Sequence, residues 1–355
     1  MIDSIKFENF RGLKQLELPE LSQITLLTGR NNAGKSSILE GVFLFMDHVD
    51  RNSFNKINVL RGLPMGTNTA SIWEPAFYGL DTQNPLSITI EMDGKTSSLS
   101  FERDDSFIPI DSAGEVKDAF NQFTASTRST QTLKYHYKEE DYKEEGAFSL
   151  NETGYVGIIT TSLPNNQIRF LPTTRIINLG TRDDILIPSW FGQIELKGKK
   201  PQVIEALKNI EPDLADIVTI SNQSQAQIYF KIANQLFPAK LAGDGLYRIL
   251  YILLAIIENP DSILLIDEID AGFHYSTIED LWRVVAESVK ESGCQVIATT
   301  HSYECVKNAV KGVNSANMEN NFCLYRVERK DGENRAFRYD EELVRSAVDM
   351  NMEVR

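Results

Sequence analysis

The sequence predicts an α/β protein with a mostly parallel central sheet. From residue 241 onward, an apolar helix (246–257), the strand SILLID, an amphipathic helix and the strand QVIATT follow one another. Strands that alternate with helices in this way form parallel sheets. Near the start, the apolar strand ITLLTG leads into a helical pattern over 35–49. Ligands of such sheets lie at the carboxyl ends of the strands, so we expect functional residues there.

Other strand patterns surround this core. IKFENF, LKQLEL and LSITIEM alternate apolar and polar residues, which predicts an antiparallel β flank. The composition changes near residue 101, and YHYKEEDYKEEGAF predicts a solvated helix or mobile arm. We therefore expect a head formed by residues 1–100 and 231–355, with an inserted α/β lobe or arm at 101–230.

Composition limits the classes of function. The 355 residues carry a formal net charge of −14, which disfavours non-specific coating of nucleic acid but leaves room for DNA reached through a partner. The longest apolar run, 249–257, is too short to cross a bilayer. Three cysteines without CxxC spacing and a charged start without a signal peptide predict a cytoplasmic protein with no membrane contact.

A phosphate-binding loop follows the first buried strand. GRNNAGKSS (29–37) fits the pattern G-x-x-x-x-G-K-[ST], between a strand and a helix as the motif requires. The backbone N–H groups of such a loop face the α- and β-phosphates, Lys35 reaches the β- and γ-phosphates, and the Ser36 hydroxyl ligates Mg²⁺. The cofactors predicted are ATP and Mg²⁺. The predicted nucleotide-binding residues of the loop are Gly29, Arg30, Asn31, Asn32, Ala33, Gly34, Lys35, Ser36 and Ser37.

The segment ILLIDEIDAGFHYS (263–276) allows two interpretations. Its three carboxylates and a histidine match the metal cluster of a nuclease, with Asp267, Glu268, Asp270 and His274 as ligands. Alternatively, Asp267 ends an apolar strand and holds Mg²⁺ together with Ser36, as in P-loop nucleotide hydrolases. Glu268 then activates the attacking water as a general base. The upstream P-loop favours the second interpretation.

Five segments together resemble the ABC-type ATPases of the RecF/SMC branch, and within it the OLD-type ATPases of bacterial anti-phage systems. They are IKFENFRGLK, GRNNAGKSSILE, LAGDGLYRILYILL, ILLIDEIDAGFH and IATTHS. The resemblance implies a P-loop NTPase fold of the ABC-ATPase head type. Asn31 matches an asparagine frequent in the family's P-loop. Arg11 matches a family arginine after the first strand, so either it approaches the nucleotide or it is a surface arginine.

The resemblance also implies roles near the carboxyl end of the chain. LAGDG (241–245) lies where the family carries its signature loop; it retains Gly243 but departs from LSGGQ at three other positions. Asp270 corresponds to the D-loop residue at a dimer seam, and His301 to the switch histidine near the γ-phosphate. His274 is then structural, and Arg175 is a candidate for a phosphate or inter-lobe contact.

We therefore expect an ATPase that forms a homodimer or higher oligomer around ATP and regulates a separate effector, a nuclease or toxin. The chain ends about 50 residues after His301, which we take to leave no room for a fused Toprim nuclease domain. Three alternatives remain: a RecF-like DNA-repair ATPase that acts on DNA directly, a transporter ATPase subunit, and a metal-dependent nuclease. Acidic charge disfavours the first, and the missing LSGGQ disfavours the second.

Overall fold

The computed structural model describes residues 1–66, 68–104, 131–150, 156–162, 171–178, 186–222 and 225–349. The chain forms two compact units. The first contains Met1–Leu21, Asn32–Leu171 and Val327–Ala336, and the second contains Ser22–Asn31, Pro172–Arg326 and Phe337–Arg355. This division cuts across the predicted boundaries at residues 100 and 230, and the arrangement as a two-part head with an inserted lobe stays a prediction.

The described strands are β1 (Ile2–Phe10), β2 (Leu13–Leu18), β3 (Ile24–Thr28), β4 (Leu86–Met92), β5 (Lys95–Arg103), β6 (Gln131–Glu139), β7 (Tyr142–Leu150), β8 (Val156–Ser162), β9 (Thr174–Asn178), β10 (Leu214–Asn222), β11 (Gln225–Ile232), β12 (Gln235–Pro238), β13 (Ile263–Asp267), β14 (Gln295–Thr299), β15 (Phe322–Lys330) and β16 (Glu333–Asp340). The described α-helices are α1 (Lys35–Met46), α2 (Ser53–Leu60), α3 (Thr69–Ile72), α4 (Leu186–Leu196), α5 (Lys200–Lys208), α6 (Asp244–Glu258), α7 (Ile278–Ser292), α8 (Tyr303–Ser315) and α9 (Glu341–Asp349).

The first unit is built on a seven-stranded sheet with the order β2-β1-β4-β5-β6-β7-β8, and its neighbouring strands are antiparallel. In β4, buried and partly buried residues alternate, as the sequence predicts. Helix α1 approaches this sheet closely, because a Cβ added to Gly41 would lie 2.4 Å from the Phe7 ring. The absence of a side chain at Gly41 therefore sets the position of the helix that follows the P-loop.

An aromatic cluster holds the other end of α1. The His48 ring stacks on Tyr137 with 4.9 Å between centroids, and its Nδ1 lies 2.8 Å from the Phe45 carbonyl oxygen. Burial lowers the pKa of His48. The His48 ring, packed against Tyr137, thus ties the end of the helix to strand β6.

The prediction of a solvated helix or mobile arm at YHYKEEDYKEEGAF is wrong. This segment forms most of the β6–β7 hairpin, in which Tyr135 and Tyr137 are buried. Two of its carboxylates are buried as well, since Glu139 accepts hydrogen bonds from Ser97 and Tyr137, and Glu144 accepts one from Tyr135. Buried hydroxyl donors satisfy charges that the sequence alone assigns to solvent.

The second unit contains most of a six-stranded sheet with the order β16-β15-β3-β14-β13-β9. From β15 to β9 the pairs are parallel. Helix α6 is mostly buried, as expected for an apolar helix packed inside a layer. The predicted mostly parallel sheet and antiparallel flank are confirmed. A separate three-stranded antiparallel sheet, β10-β11-β12, also belongs to this unit.

Among the residues described, no helix combines the length and the apolar character needed to cross a bilayer. The predicted strand GIITT forms part of β8. Residues 168–170 of the predicted strand IRFLP lie outside the described residues.

Candidate functional site

The predicted functional residues of the second unit meet at one edge of its parallel sheet. Strand β14 lies between β3, which leads into the P-loop, and β13, which ends in Asp267. Leu27 pairs with Thr299, and Ala298 pairs with Ile266, so the three strands end level with one another. Parallel strands place their carboxyl ends at the same edge. The start of the P-loop, the acidic segment and His301 therefore lie along that edge.

The Thr299 hydroxyl is hydrogen-bonded to both Asp267 and Glu268. The Thr299 hydroxyl donates to Asp267 Oδ1 at 2.6 Å and accepts from the Glu268 backbone N–H at 2.8 Å. Glu268 has a φ of 51°, a left-handed conformation that is uncommon for a residue with a side chain. The Ile269 N–H also bonds to the Thr299 carbonyl at 3.0 Å. These bonds fix the chain just after β13.

His301 faces the Glu268 carboxylate. Its Nε2 lies 3.9 Å from Glu268 Oε1, with side-chain exposures of 39% and 58% respectively. Ser302 caps the amino end of the following helix, α8, because its Oγ accepts the Cys305 backbone N–H at 3.2 Å. The predicted general base and switch histidine are thus neighbours that both reach solvent, where a substrate can approach them.

Asp270 is held within its own chain. The Thr300 hydroxyl donates to Asp270 Oδ1 at 2.7 Å and accepts the Ser302 N–H at 3.0 Å. Burial, with a further contribution from the Asp270 charge, raises the pKa of the Cys305 thiol to about 12. Cys305 therefore stays a neutral thiol beneath this segment and is not a reactive thiolate.

The signature-loop position is an exposed helix start. Gly243 precedes α6 with a φ of 128°, and a Cβ added to it would meet no atom within 4 Å. Further along α6, Arg248 donates a hydrogen bond to the Ala271 carbonyl. Gly272 has a φ of 78°, and a Cβ there would lie 2.8 Å from the Arg248 guanidinium carbon. Arg248, which the sequence did not indicate, connects the signature helix to the segment after Asp270.

The P-loop crosses the boundary between the units. In the second unit, Gly29 has a φ of 137° and leaves β3 in a conformation that suits glycine. Arg30 and Asn31 are exposed, as is Asn32 of the first unit. The boundary lies between Asn31 and Asn32.

Within the first unit, the rest of the loop is closely packed. A Cβ added to Gly34, whose φ is 106°, would lie 2.4 Å from Leu13 Cδ2. Asn334 Nδ2 donates to the Ala33 carbonyl at 3.0 Å. Helix α1 then starts at Lys35 without a side-chain cap, so its first N–H groups suit an anion. The side chains are buried at Ala33, Lys35 and Ser37 and partly buried at Ser36.

The Arg11 side chain is buried and bonded within the protein, so it is not a surface arginine. Its guanidinium donates to the Pro75 carbonyl and to Asn58 Oδ1, both at 3.0 Å, and its Nε lies 3.1 Å from Glu40 Oε2. Burial lowers the pKa of Arg11, and the Glu40 carboxylate opposes that shift. Glu40 lies on α1 and also pairs with Arg61, which donates to Ser37 Oγ at 3.1 Å. Contact between Arg11 and a nucleotide stays a prediction; the observed bonds position the P-loop helix.

Arg175 and His274 both make contacts that fit a structural role. Arg175 lies near the amino end of the edge strand β9, where it pairs with Leu264, donates to Asn259 Oδ1 at 3.0 Å and stacks over Trp190 at 5.1 Å. It is therefore a packing residue away from the carboxyl ends of the strands. His274 caps the turn Tyr275–Thr277 by accepting the Ser276 N–H. Within the described parts of the chain, no group of three or more His, Cys, Asp or Glu side chains has the geometry of a metal site.

Each unit offers donor groups of the kinds that a magnesium nucleotide requires. Asp267 of the second unit offers a carboxylate and Ser36 of the first a hydroxyl oxygen, the hard donors that Mg²⁺ prefers. Lys35 offers an ammonium, and α1 offers an uncapped amino terminus for phosphate.

A family model described as "AAA domain, putative AbiEii toxin, Type IV TA system" matches residues 24–306, which is most of the chain. The chain belongs to this family of AAA domains. Over 362 aligned residues, this AAA domain is 23% identical to an ATP/GTP phosphatase of Helicobacter pylori, covering 91% of the chain and 92% of the relative. It is 52% identical over 46 residues to an uncharacterized protein of Methanocaldococcus jannaschii, covering 13% of the chain and 21% of the relative.

Its fold is that of an SMC head. A crystal structure of an SMC head bound to the C-terminal winged-helix domain of ScpA matches with a TM-score of 0.53 and 16% identity, covering 96% of this chain and 98% of the other. The chain is thus an AAA-family ATPase domain with the fold of an SMC head.

Proposed function

We propose that this AAA domain binds and hydrolyses ATP as one half of a head-to-head dimer and so regulates a separate effector, a nuclease or toxin, in bacterial anti-phage defence. One observation carries the proposal. Asp267, Glu268 and His301 lie together at the carboxyl edge of the sheet whose strand β3 leads into the P-loop.

In this mechanism the P-loop binds the phosphates. Backbone N–H groups at the start of α1 and the Lys35 ammonium neutralise their charge, and Asp267 and Ser36 would hold Mg²⁺. When bound, the ion would supply further positive charge to stabilise the transferring phosphoryl group. Glu268 accepts a proton from the attacking water, and the His301 ring, beside it at 3.9 Å, donates to the γ-phosphate.

The second copy completes each site. Gly243 is exposed at the amino end of α6, and the positive end of this helix dipole faces the γ-phosphate held by the other subunit. Arg248 links that helix to the segment after Asp270 through its hydrogen bond to the Ala271 carbonyl. Hydrolysis of the nucleotide at the partner's P-loop is thereby coupled to the subunit's own acidic segment. ATP binding closes the dimer, and hydrolysis reopens it.

Partner association is supported by the relatives. The family description names a toxin system, and the similar SMC head is bound to a domain of another protein. The net charge of −14 favours DNA contact through a partner over direct binding.

Expression of the native operon, followed by purification of this protein, tests whether it acts with a separate effector. We expect a nuclease or toxin to co-purify and its activity to change with ATP. Full biological activity of the ATPase alone, or salt-sensitive DNA binding by the isolated chain, would instead support a RecF-like ATPase that acts directly on DNA.

A further inference from the structure

Thr299 is the last residue of β14, and Thr300 follows it directly before His301. The proposed mechanism assigns no role to either threonine. Thr299 and Thr300 are 1% and 0% exposed. Each hydroxyl donates to a different carboxylate, Thr299 to Asp267 and Thr300 to Asp270. The two threonines therefore hold two separate points of the acidic segment.

The Thr299 hydroxyl has no freedom to reorient. It donates its single proton to Asp267 and accepts the Glu268 N–H, so both bonds fix its direction. Its β-branched side chain also has few rotamers. The Asp267 carboxylate is thereby aimed by a rigid neighbour on the adjacent strand.

Thr299 also fixes the backbone of Glu268 on both sides. The N–H of Glu268 bonds to the Thr299 hydroxyl, and the N–H of Ile269 bonds to its carbonyl. Between these bonds Glu268 takes its left-handed φ of 51°, a conformation that persists only where the surroundings hold it. The direction of the Glu268 side chain therefore depends on Thr299.

We propose that Thr299 is a positioning residue that aligns Asp267 for magnesium and Glu268 for water, while Thr300 positions Asp270 independently. This rests on the proposed ATPase function and adds to it the residue that sets the geometry of its two carboxylates.

Thr299→Val tests the proposal because valine keeps the shape and removes the hydroxyl. We expect kcat for ATP to fall by roughly 10- to 100-fold, the effect of a small misplacement of reacting groups, with KM for ATP nearly unchanged. The matched control is Thr219→Val in β10. The Thr219 hydroxyl is buried without a partner among the described residues, and we expect wild-type kcat from this variant.

A binding measurement separates positioning from a merely structural effect. In a Glu268→Gln background, binding of a fluorescent ATP analogue is titrated with Mg²⁺. Thr299→Val should raise the Mg²⁺ concentration required by roughly 10-fold or more, as loss of a partner of a metal ligand does. Thr300→Val should leave this titration unchanged and instead raise the protein concentration needed for half-maximal ATPase rate.

If Thr299→Val does not fold, Thr299→Ser and Thr299→Ala replace it, since both lack the methyl group and differ only in the hydroxyl. The serine variant should keep kcat within about fivefold of wild type, and the alanine variant should not. Equal kcat in the two variants, or an unchanged Mg²⁺ titration for Thr299→Val, overturns the inference. If Lys35→Ala and Glu268→Gln both hydrolyse ATP at the wild-type rate, the proposed ATPase function itself fails.

Discussion

Glu268→Gln is expected to lower kcat for ATP by about 10²- to 10⁴-fold, the range for loss of a general base, and to leave ATP binding intact. The amide has the size of the carboxylate but cannot accept the proton of the attacking water. The contact that fixes this residue to Thr299 uses its backbone N–H, which the substitution keeps. The variant should therefore accumulate bound ATP and remain in the closed dimer.

Phosphate release measures the rate, and sedimentation with and without ATP measures the dimer, against a monomer of 40.1 kDa. Glu279→Gln on α7 is the matched control. It removes a carboxylate that is 47% exposed, and we expect no change in turnover. Wild-type turnover by Glu268→Gln would remove Glu268 from its assigned role.

Lys35→Ala is expected to weaken ATP binding by roughly 10- to 100-fold, as expected for the loss of a hydrogen bond between charged groups. Lys35 is 4% exposed, so its removal also leaves a gap. Lys35→Met retains the apolar stem and serves as the matched variant. Both variants should show this weaker nucleotide binding in an equilibrium titration, and only the alanine variant should lose thermal stability as well. Metal-dependent nucleic-acid cleavage that survives Lys35→Ala would revive the nuclease interpretation.

The fold could be predicted largely from local patterns. The apolar strand before Gly29, the helix after Lys35 and the strand that ends at Asp267 each carry their own signal, and alternation of strands and helices predicts how they associate. The β6–β7 hairpin could not be predicted from its charged residues. The hydroxyls that donate hydrogen bonds to the buried carboxylates of Glu139 and Glu144 are recognisable only once the strands are paired.

The candidate site, like the fold, could be predicted only in part. Motif spacing predicts which residues of the P-loop and the acidic segment matter, but not the groups that hold them. Thr299 meets Asp267 only through the pairing of β13 with β14, and Arg248 meets Ala271 only through tertiary packing. The pair of threonines before His301 was a visible signal in IATTHS, since hydroxyls at a strand end can bond to a neighbouring carboxylate.

The contacts of Arg11 could not be predicted from the residues around it in the sequence. Its position after β1 suggested a nucleotide contact or a surface residue, yet it is buried beside Glu40 of α1 and Asn58 of α2. These partners lie 29 and 47 residues further along the chain, as the difference of residue numbers shows. No local pattern reports such contacts.

The most direct test of the central claim, that two copies of the chain complete each ATP site, is to mix two inactive variants. Lys35→Ala disables the P-loop, and Gly243→Asp places a side chain and a negative charge at the exposed helix start, where φ is 128°. Half of randomly formed dimers contain one of each variant, and each of these retains one complete site. An equal mixture should therefore recover roughly a quarter of the wild-type ATPase rate, although each variant alone is inactive. A mixture no faster than the two separate variants would contradict the account.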